Sequence, residues 1–293
     1  MAQFPSTSAA DGIWTLKKAR RAILGDNWPE LPPWAVDISN TSYDSVSFSV
    51  SSQEAQPSDV VFNNTGTKMY VIGLDSDTVF QYSLSTAFDV STASYDSVSL
   101  SVAAQDTTSF SMFFNSDGTK MYTSGNVSDD IFQYTLSTAF DLSTASYASL
   151  NFQADSQVDI PEGLAFNSDG TKMFVGDRNS AVIYQYTLST AENVSTASYD
   201  SVSFNLSSQE ATLRAFAFNA VGTKLYAVGN TNDTVYQYTL STGFDLSTAS
   251  YDSINFSVAS QSSVPLGIRF SADGSKMYIA DYSTSTIYQY STG

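Results

Sequence analysis

The chain has 293 residues, no cysteine and no histidine, and a formal net charge of −17. This composition excludes disulfides and removes the commonest zinc ligand and the commonest general base. The charge argues against nucleic-acid binding, and the lack of an apolar run of about 18 residues argues against membrane insertion.

Residues 1–36 differ from the rest of the chain and predict an N-terminal arm. Ser8–Asp11 is typical of a helix start and Gly25 of a helix end, and the prolines that follow favour an extended path. Such a segment buries little apolar surface alone, so we predict that it docks onto a partner protein. Packing against the rest of the chain is the alternative. The docking candidates are its three tryptophans and its basic cluster: Trp14, Lys17, Lys18, Arg20, Arg21, Trp28 and Trp34.

The remainder of the chain is a repeat built on the phrase Asn-Ser-Asp-Gly-Thr-Lys-Met-Tyr, seen at Asn115–Tyr122. Three residues of each unit recur at intervals of 52 residues. They are the lysines 68, 120, 172, 224 and 276, the glycines 66, 118, 170, 222 and 274, and the glutamines 81, 133, 185, 237 and 289. A period of this length is typical of propellers.

Each repeat predicts four short strands and no helix. The Asp-Gly type of turn lies between two β-forming runs, which indicates a hairpin with glycine at positive φ. A third run such as Asp130–Leu136 follows, and then a Ser/Thr-rich connector and a fourth run such as Asp96–Val102. Four antiparallel strands in about 50 residues are typical of a propeller blade.

The strand count predicts how the ring closes. Ser45–Ser52 resembles a fourth strand with no blade before it, and the fifth blade lacks a fourth strand. We therefore predict an all-β, five-bladed propeller over residues 37–293, in which Ser45–Ser52 completes the last blade and removes its open edge. We expect the tyrosines and phenylalanines in its core, the five glutamines bound to buried amides between blades, and the five lysines in solvent.

The sequence also resembles a known group of proteins. Gly12–Leu16 followed by Gly25–Pro29 is similar to a segment of structural and tail-fibre proteins of tailed, especially marine, bacteriophages. The repeated Gly-Thr-Lys-Met-Tyr, Phe-Gln-Tyr and Leu-Ser-Thr-Ala-Phe-Asp phrases resemble propeller repeats common in phage and bacterial surface proteins. The resemblance implies a virion structural protein, attached to capsid or tail proteins through its arm and displayed on the particle for decoration or host-surface adhesion.

Variation among the five copies locates the candidate site. The hairpin and connector hardly vary, whereas the lead into the first strand and the loop after the second strand do. In a propeller these two variable segments share one face, where recognition usually resides. We predict ligand binding there by Phe110, Glu162, Arg178, Arg214 and Tyr282. Neutral variation is the alternative reading.

Other chemistries have weaker support. Asp77, Asp129 and Asp233 could hold calcium, although their spacing is not a recognised loop. Asp59 and Glu162 could be the paired carboxylates of a glycoside hydrolase, but nothing else supports that reaction. We expect a non-enzymatic protein with no catalytic residue, metal or cofactor; a carbohydrate-binding lectin with five related pockets is the alternative function.

Overall fold

The computed structural model describes residues 36–292, which form five four-stranded antiparallel sheets. The first strand of the described residues is β1 (Ser42–Ser49), which follows a 3-10 helix at Ile38–Asn40. Blade 1 contains β2 (Pro57–Phe62), β3 (Lys68–Gly73), β4 (Thr78–Leu84) and β5 (Ala93–Ser101). Blade 2 contains β6 (Ser109–Phe114), β7 (Lys120–Gly125), β8 (Asp130–Leu136) and β9 (Ala145–Gln153). Blade 3 contains β10 (Pro161–Phe166), β11 (Lys172–Asp177), β12 (Val182–Leu188) and β13 (Ala197–Asn205). Blade 4 contains β14 (Leu213–Phe218), β15 (Lys224–Gly229), β16 (Thr234–Leu240) and β17 (Ala249–Ser257).

Blade 5 is made from both ends of the described chain. Its strands β18 (Pro265–Phe270), β19 (Lys276–Asp281) and β20 (Thr286–Ser291) are completed by β1, which pairs antiparallel with β20. The register places Ser42 opposite Ser291 and Phe48 opposite Ile287. The innermost strands contact one another around the ring, β18 against β2 included. The predicted all-β five-bladed propeller and its closing strand are therefore confirmed.

Residues 1–35 of the predicted arm lie outside the described residues, and with them the proposed helix and all seven docking candidates. The described chain begins with Val36, which is buried and whose carbonyl accepts a 2.7 Å hydrogen bond from the Tyr226 hydroxyl. No helix within residues 36–292 has the length and apolar character needed to cross a membrane.

The hairpin turns adopt the predicted backbone conformation. Gly66 has φ of 68°, and its four counterparts have φ between 68° and 72°. An L side chain is strained in this conformation. A Cβ at Gly66 would also lie 2.3 Å from the ring of Phe88 in the connector of the same blade. Glycine therefore lets the hairpin and the connector pack together on one face of each blade.

The apolar core lies between the blades. Four buried clusters each combine residues from two neighbouring blades. An aromatic residue on the second strand packs against a phenylalanine on the innermost strand of the next blade, as in Tyr70–Phe114, with ring centroids 4.7 Å apart. The same pairing recurs around the whole ring. Each fully buried side chain of this size contributes about 1.5–3 kcal/mol of burial energy, so neighbouring blades stabilise one another.

The five glutamines connect each blade to the next, as predicted. Each side-chain oxygen accepts a hydrogen bond of 3.0–3.1 Å from a buried backbone N–H in the following connector; Gln81, for example, binds the amide of Leu142. A buried amide left unpaired would cost about 1–3 kcal/mol, which explains why glutamine occurs at this position in every copy.

The lysines were expected in solvent, and that expectation is wrong. Lys68 has an exposed side-chain fraction of 32% and binds Asp96 at 2.6 Å, and Asp96 also accepts from Gln81. Lys224 and Lys276 make the same kind of ion pair with Asp252 and Asp44. Asp96 and Asp252 follow their lysines by 28 residues, and Asp44 precedes Lys276 by 232, so sequence proximity gave no indication of these pairs.

Candidate functional site

The propeller has two distinct faces. We call the upper face the one that carries the lead into each innermost strand and the loop after each second strand, which are joined by bonds such as Leu74 N–H to Gln56 O at 3.0 Å. The lower face carries the hairpins and connectors, joined by bonds such as Phe88 N–H to Gly66 O at 2.9 Å. The two variable segments of the repeat thus share one face, as predicted.

An ion pair joins the innermost strands of the neighbouring blades 5 and 1, which line the central channel of the propeller. Arg269 on β18 donates from Nη2 to Asp59 Oδ2 on β2 at 2.8 Å, and from the same nitrogen to the carbonyl of Met112 on β6. Its Nη1 reaches the carbonyl of Phe216 on β14 at 3.3 Å. One guanidinium therefore contacts the innermost strands of blades 1, 2 and 4.

The carboxylate of Asp59 is buried, and both of its oxygens accept hydrogen bonds. It is 1% exposed; Oδ1 accepts from the Val60 amide, and Oδ2 also accepts from Ser111 and the Met112 amide. Burial raises the pKa of Asp59, and Arg269 with the amide bonds opposes that rise. With both oxygens occupied, Asp59 is poorly suited to act with Glu162 as a hydrolytic pair.

Above the channel, two repeat positions surround its upper mouth. The entry ring holds Ser58, Phe110, Glu162, Arg214 and Leu266, one from the start of each innermost strand. The loop ring holds Leu74, Asn126, Arg178, Asn230 and Tyr282, one from the end of each second strand. All loop-ring side chains are partly exposed, whereas Ser58, Phe110, Glu162 and Leu266 are buried. The loop ring is the layer that faces solvent.

A charged cluster joins blades 3 and 4 within these rings. Arg214 Nη1 lies 3.0 Å from both carboxylate oxygens of Glu162, and Arg214 Nε donates to Asn230 Oδ1 at 3.0 Å. Glu162 is 2% exposed. Burial raises its pKa to about 7, against the opposing effect of Arg214 and Arg178.

Arg178 extends the cluster toward blade 2. Its Nη1 lies 3.4 Å from Glu162 Oε1, and its guanidinium lies 5.7 Å above the ring of Phe110. Cation–π contacts of this length hold an arginine in place while leaving N–H groups for other partners. The side chain is 28% exposed, more than the 16% of Arg214.

The structure thus brings four of the five predicted ligand-binding residues into contact: Phe110, Glu162, Arg178 and Arg214. Tyr282 lies on the upper face of blade 5, and within residues 36–292 no side-chain hydrogen bond, ion pair or ring contact joins it to the other four. Asn230 belongs to the cluster but was not predicted. The sequence could have identified Asn230, because it occupies the same repeat position as Arg178 and Tyr282. Ligand binding by these residues stays a prediction.

The aspartates considered for calcium have a structural role. Asp77, Asp129 and Asp233 adopt φ between 47° and 56° just before a third strand, a conformation that aspartate tolerates better than most residues. Their carbonyls accept hydrogen bonds from the chain as it enters the next blade, as in Val102 N–H to Asp77 O at 2.9 Å. In the described part of the chain, acidic residues do not group in a way that could hold a metal ion.

The fold and the site define a five-bladed β-propeller with an asymmetric polar upper mouth. No protein-family model matches the chain, and no curated protein matches it.

Three solved structures resemble part of this chain. A candidate 6-phosphogluconolactonase from Bacteroides uniformis is 16% identical, with 77% of this chain and 64% of that chain covered and a TM-score of 0.49. A similarly described protein from Bacteroides fragilis is 13% identical, with 69% and 55% covered and a TM-score of 0.47. A protein from Lactobacillus plantarum is 18% identical, with 67% and 53% covered and a TM-score of 0.44. The chain spans less than two thirds of each of these chains, and likeness at this level says nothing about its activity.

Proposed function

We propose that this protein is a non-enzymatic adhesion protein that holds one ligand at the upper mouth of its propeller. The single observation behind the proposal is the contrast between scaffold and mouth. The hairpins and connectors are nearly identical in all copies, whereas the entry ring carries five different residue types and the loop ring four. A mouth of this kind presents one asymmetric surface rather than five equal ones.

The interactions at the mouth support binding more than hydrolysis. Glu162 is held by two arginines and Asp59 by a third, so neither carboxylate is free to act on a substrate. The solvent-facing loop ring combines an aliphatic, two amide, one guanidinium and one phenolic side chain. Aromatic, amide and arginine groups are common in sites that bind polar ligands. We therefore place host-surface glycans among the candidate ligands.

The proposal includes display on a bacteriophage particle, with attachment through residues 1–36. Its support is the sequence resemblance of the arm and the repeats. Replacing Trp14, Trp28 and Trp34 with alanine in the full chain tests it. We expect an unchanged propeller, judged by its melting temperature, and loss of the protein from assembled particles. Normal incorporation of the triple variant would refute attachment through the arm.

One observation favours the alternative of a lectin with several related pockets. A cavity of about 520 Å³ lies between blades 1 and 2 and is lined by Lys68, Asp96 and Phe140 among others. These positions belong to the repeated lower face, so similar residues recur in other blades. Such sites would bind several ligands per chain.

Stoichiometry separates the two functions. We would screen the full chain on an array of bacterial surface glycans and count bound ligands by native mass spectrometry. The proposed site predicts one ligand per chain and loss of binding in Asn126→Ala and Tyr282→Ala, with no effect of the lower-face control Ser143→Ala. Several ligands per chain, with one fewer bound in Ser143→Ala and no change in the upper-face variants, would favour the lectin alternative.

A further inference from the structure

We propose that the ligand of the upper mouth is an acidic saccharide, and that Arg178 binds its carboxylate group. This inference rests on the proposed function and names the chemical class of its ligand.

The first support is the charge of the solvent-facing layer. Among the five loop-ring residues, only Arg178 is charged; the others are leucine, two asparagines and tyrosine. The whole chain carries −17, so its general field repels anions. Within residues 36–292, Arg178 is the one cation of the loop ring, and it is therefore a local departure from the negative charge of the molecule.

The second support is that Arg214 makes more side-chain hydrogen bonds within the protein than Arg178 does. Arg214 binds both oxygens of Glu162 and the oxygen of Asn230, and it thereby neutralises the buried carboxylate. Arg178 makes one long contact to Glu162, at 3.4 Å, and this is its one side-chain hydrogen bond within residues 36–292. Its remaining N–H groups are available to a ligand, and Phe110 holds the guanidinium in position.

The third support is the match between this guanidinium and a carboxylate. A planar fork of N–H donors binds a carboxylate through two parallel hydrogen bonds. One net positive charge balances one carboxylate, whereas a phosphate dianion would call for more cations than the loop ring offers. Asn126, Asn230 and Tyr282 supply amide and phenol groups that can bond to sugar hydroxyls. A uronic acid within a polysaccharide satisfies both requirements.

The test compares each of two acidic polysaccharides with its own methyl ester, which differs from it only at the carboxylate. Isothermal titration would measure binding of the full chain to polygalacturonate and to alginate, each beside its methyl ester. We expect the acid forms to bind and the esters to bind at least about tenfold more weakly. Arg178→Gln should weaken binding of the acid form by a similar factor, and Arg178→Lys by less, because lysine keeps the charge without the fork. The control Lys172→Gln, on the lower face, should have no effect.

The outcomes separate this inference from the proposed function. Equal binding of acid and ester, an unaffected Arg178→Gln variant, or no binding of either acid polymer would overturn the inference. The proposed function would survive these results if the glycan array shows a neutral ligand with one site per chain. It fails independently if the array shows no ligand at all.

Discussion

The carboxylate of Asp106 occupies the space that a side chain at Gly125 would need. A Cβ built at Gly125 would lie 2.2 Å from Asp106 Cγ. The carboxylate accepts hydrogen bonds from the amides of Thr108, Val127 and Ser128, at 2.7–3.1 Å for the shortest contact to each. It therefore fixes both variable segments of the upper face in blade 2.

The other blades supply the same carboxylate from one of two positions. Blades 1 and 4 follow blade 2, with Glu54 beside Gly73 and Glu210 beside Gly229. Blades 3 and 5 reverse the arrangement: an aspartate replaces the glycine, and the acidic position holds Val158 or Ser262. Asp281, for example, binds the amides of Val264 and Thr284. Each blade thus has one carboxylate at this point and room for only one.

We predict that the two arrangements are interchangeable as pairs but not singly. Gly125→Asp alone should destabilise the protein by about 3 kcal/mol or more, because it forces two carboxylates into one buried space. Asp106→Ser alone should cost about 1–3 kcal/mol through unpaired amides. The double variant, which copies the Ser262 and Asp281 arrangement of blade 5, should recover most of both losses. Urea unfolding of the four proteins measures this, and additive losses in the double variant would contradict it.

Removing the side chain of Asp44 on the closing strand β1 should lower the stability of the protein more than removing that of Asp252 on β17. Asp44 on β1 accepts from Lys276, Gln289 and Ser291, at 2.6–2.9 Å. Losing such charge-assisted bonds costs about 1.5–3 kcal/mol. In Asp44→Ala, β1 is also free to separate from β20, because no connector joins these two strands. We expect a lower melting temperature and faster hydrogen exchange in β1 than β17 shows in the control.

The matched control for that experiment is Asp252→Ala on β17. Asp252 binds Lys224 and Gln237 in the same way, but a short connector joins β17 to β16. Equal melting temperatures for the two variants would show that closure adds nothing to the local contact. Burial by itself would raise the pKa of Asp44, but the hydrogen bonds from Lys276, Ser291 and Gln289 hold that pKa below its usual value. Its contribution is thus present above about pH 4 and lost as the pH falls through the lower, folded-state pKa.

Removing one partner of the Arg269–Asp59 ion pair should lower the free energy of unfolding more than replacing both partners together. Arg269→Ala leaves the carboxylate of Asp59 buried without its partner, which costs about 3–5 kcal/mol. Asp59→Ser combined with Arg269→Ala installs the residues that other blades already have, Ser111 and Ala165. We expect the double variant to recover about 2 kcal/mol or more in urea unfolding. A double variant no more stable than Arg269→Ala would refute this account.

Ionisation of Glu162 should lower the free energy of unfolding as the pH rises. Burial raises its folded-state pKa to about 7, above the usual 4.5. The unfolded chain therefore releases this proton at lower pH than the folded chain does, and the contribution of Glu162 to stability falls between about pH 4.5 and 7. The fall is on the order of 3 kcal/mol at most, and it ends above about pH 7.

Glu162→Gln provides the measurement. The variant has no titrating group at this position, so the difference in free energy of unfolding between wild type and variant should change across pH 5–7 and level off above it. A difference that is constant over this range would show that the pKa of Glu162 in the folded protein is not raised.

The architecture could be predicted because its signals are local and repeated. The 52-residue period, the glycine of each hairpin and the unpaired strand count indicated five blades and a closing strand, since turn geometry and strand alternation act over a few residues. The variable loops also indicated the upper face. The roles of the five glutamines followed from their position on a strand that is buried between blades.

Only the tertiary structure decided which side chains meet. Arg269 and Asp59 are 210 residues apart, and Glu162 contacts partners 16 and 52 residues away. Blade 2 has Asp106 with Gly125, and blade 5 has Ser262 with Asp281. The sequence could not show that these substitutions compensate each other, because only the structure places the two positions in the same space. Local preferences set each strand and turn, but the curvature of the closed ring sets the distances between blades, and these distances determine every charged contact at the mouth.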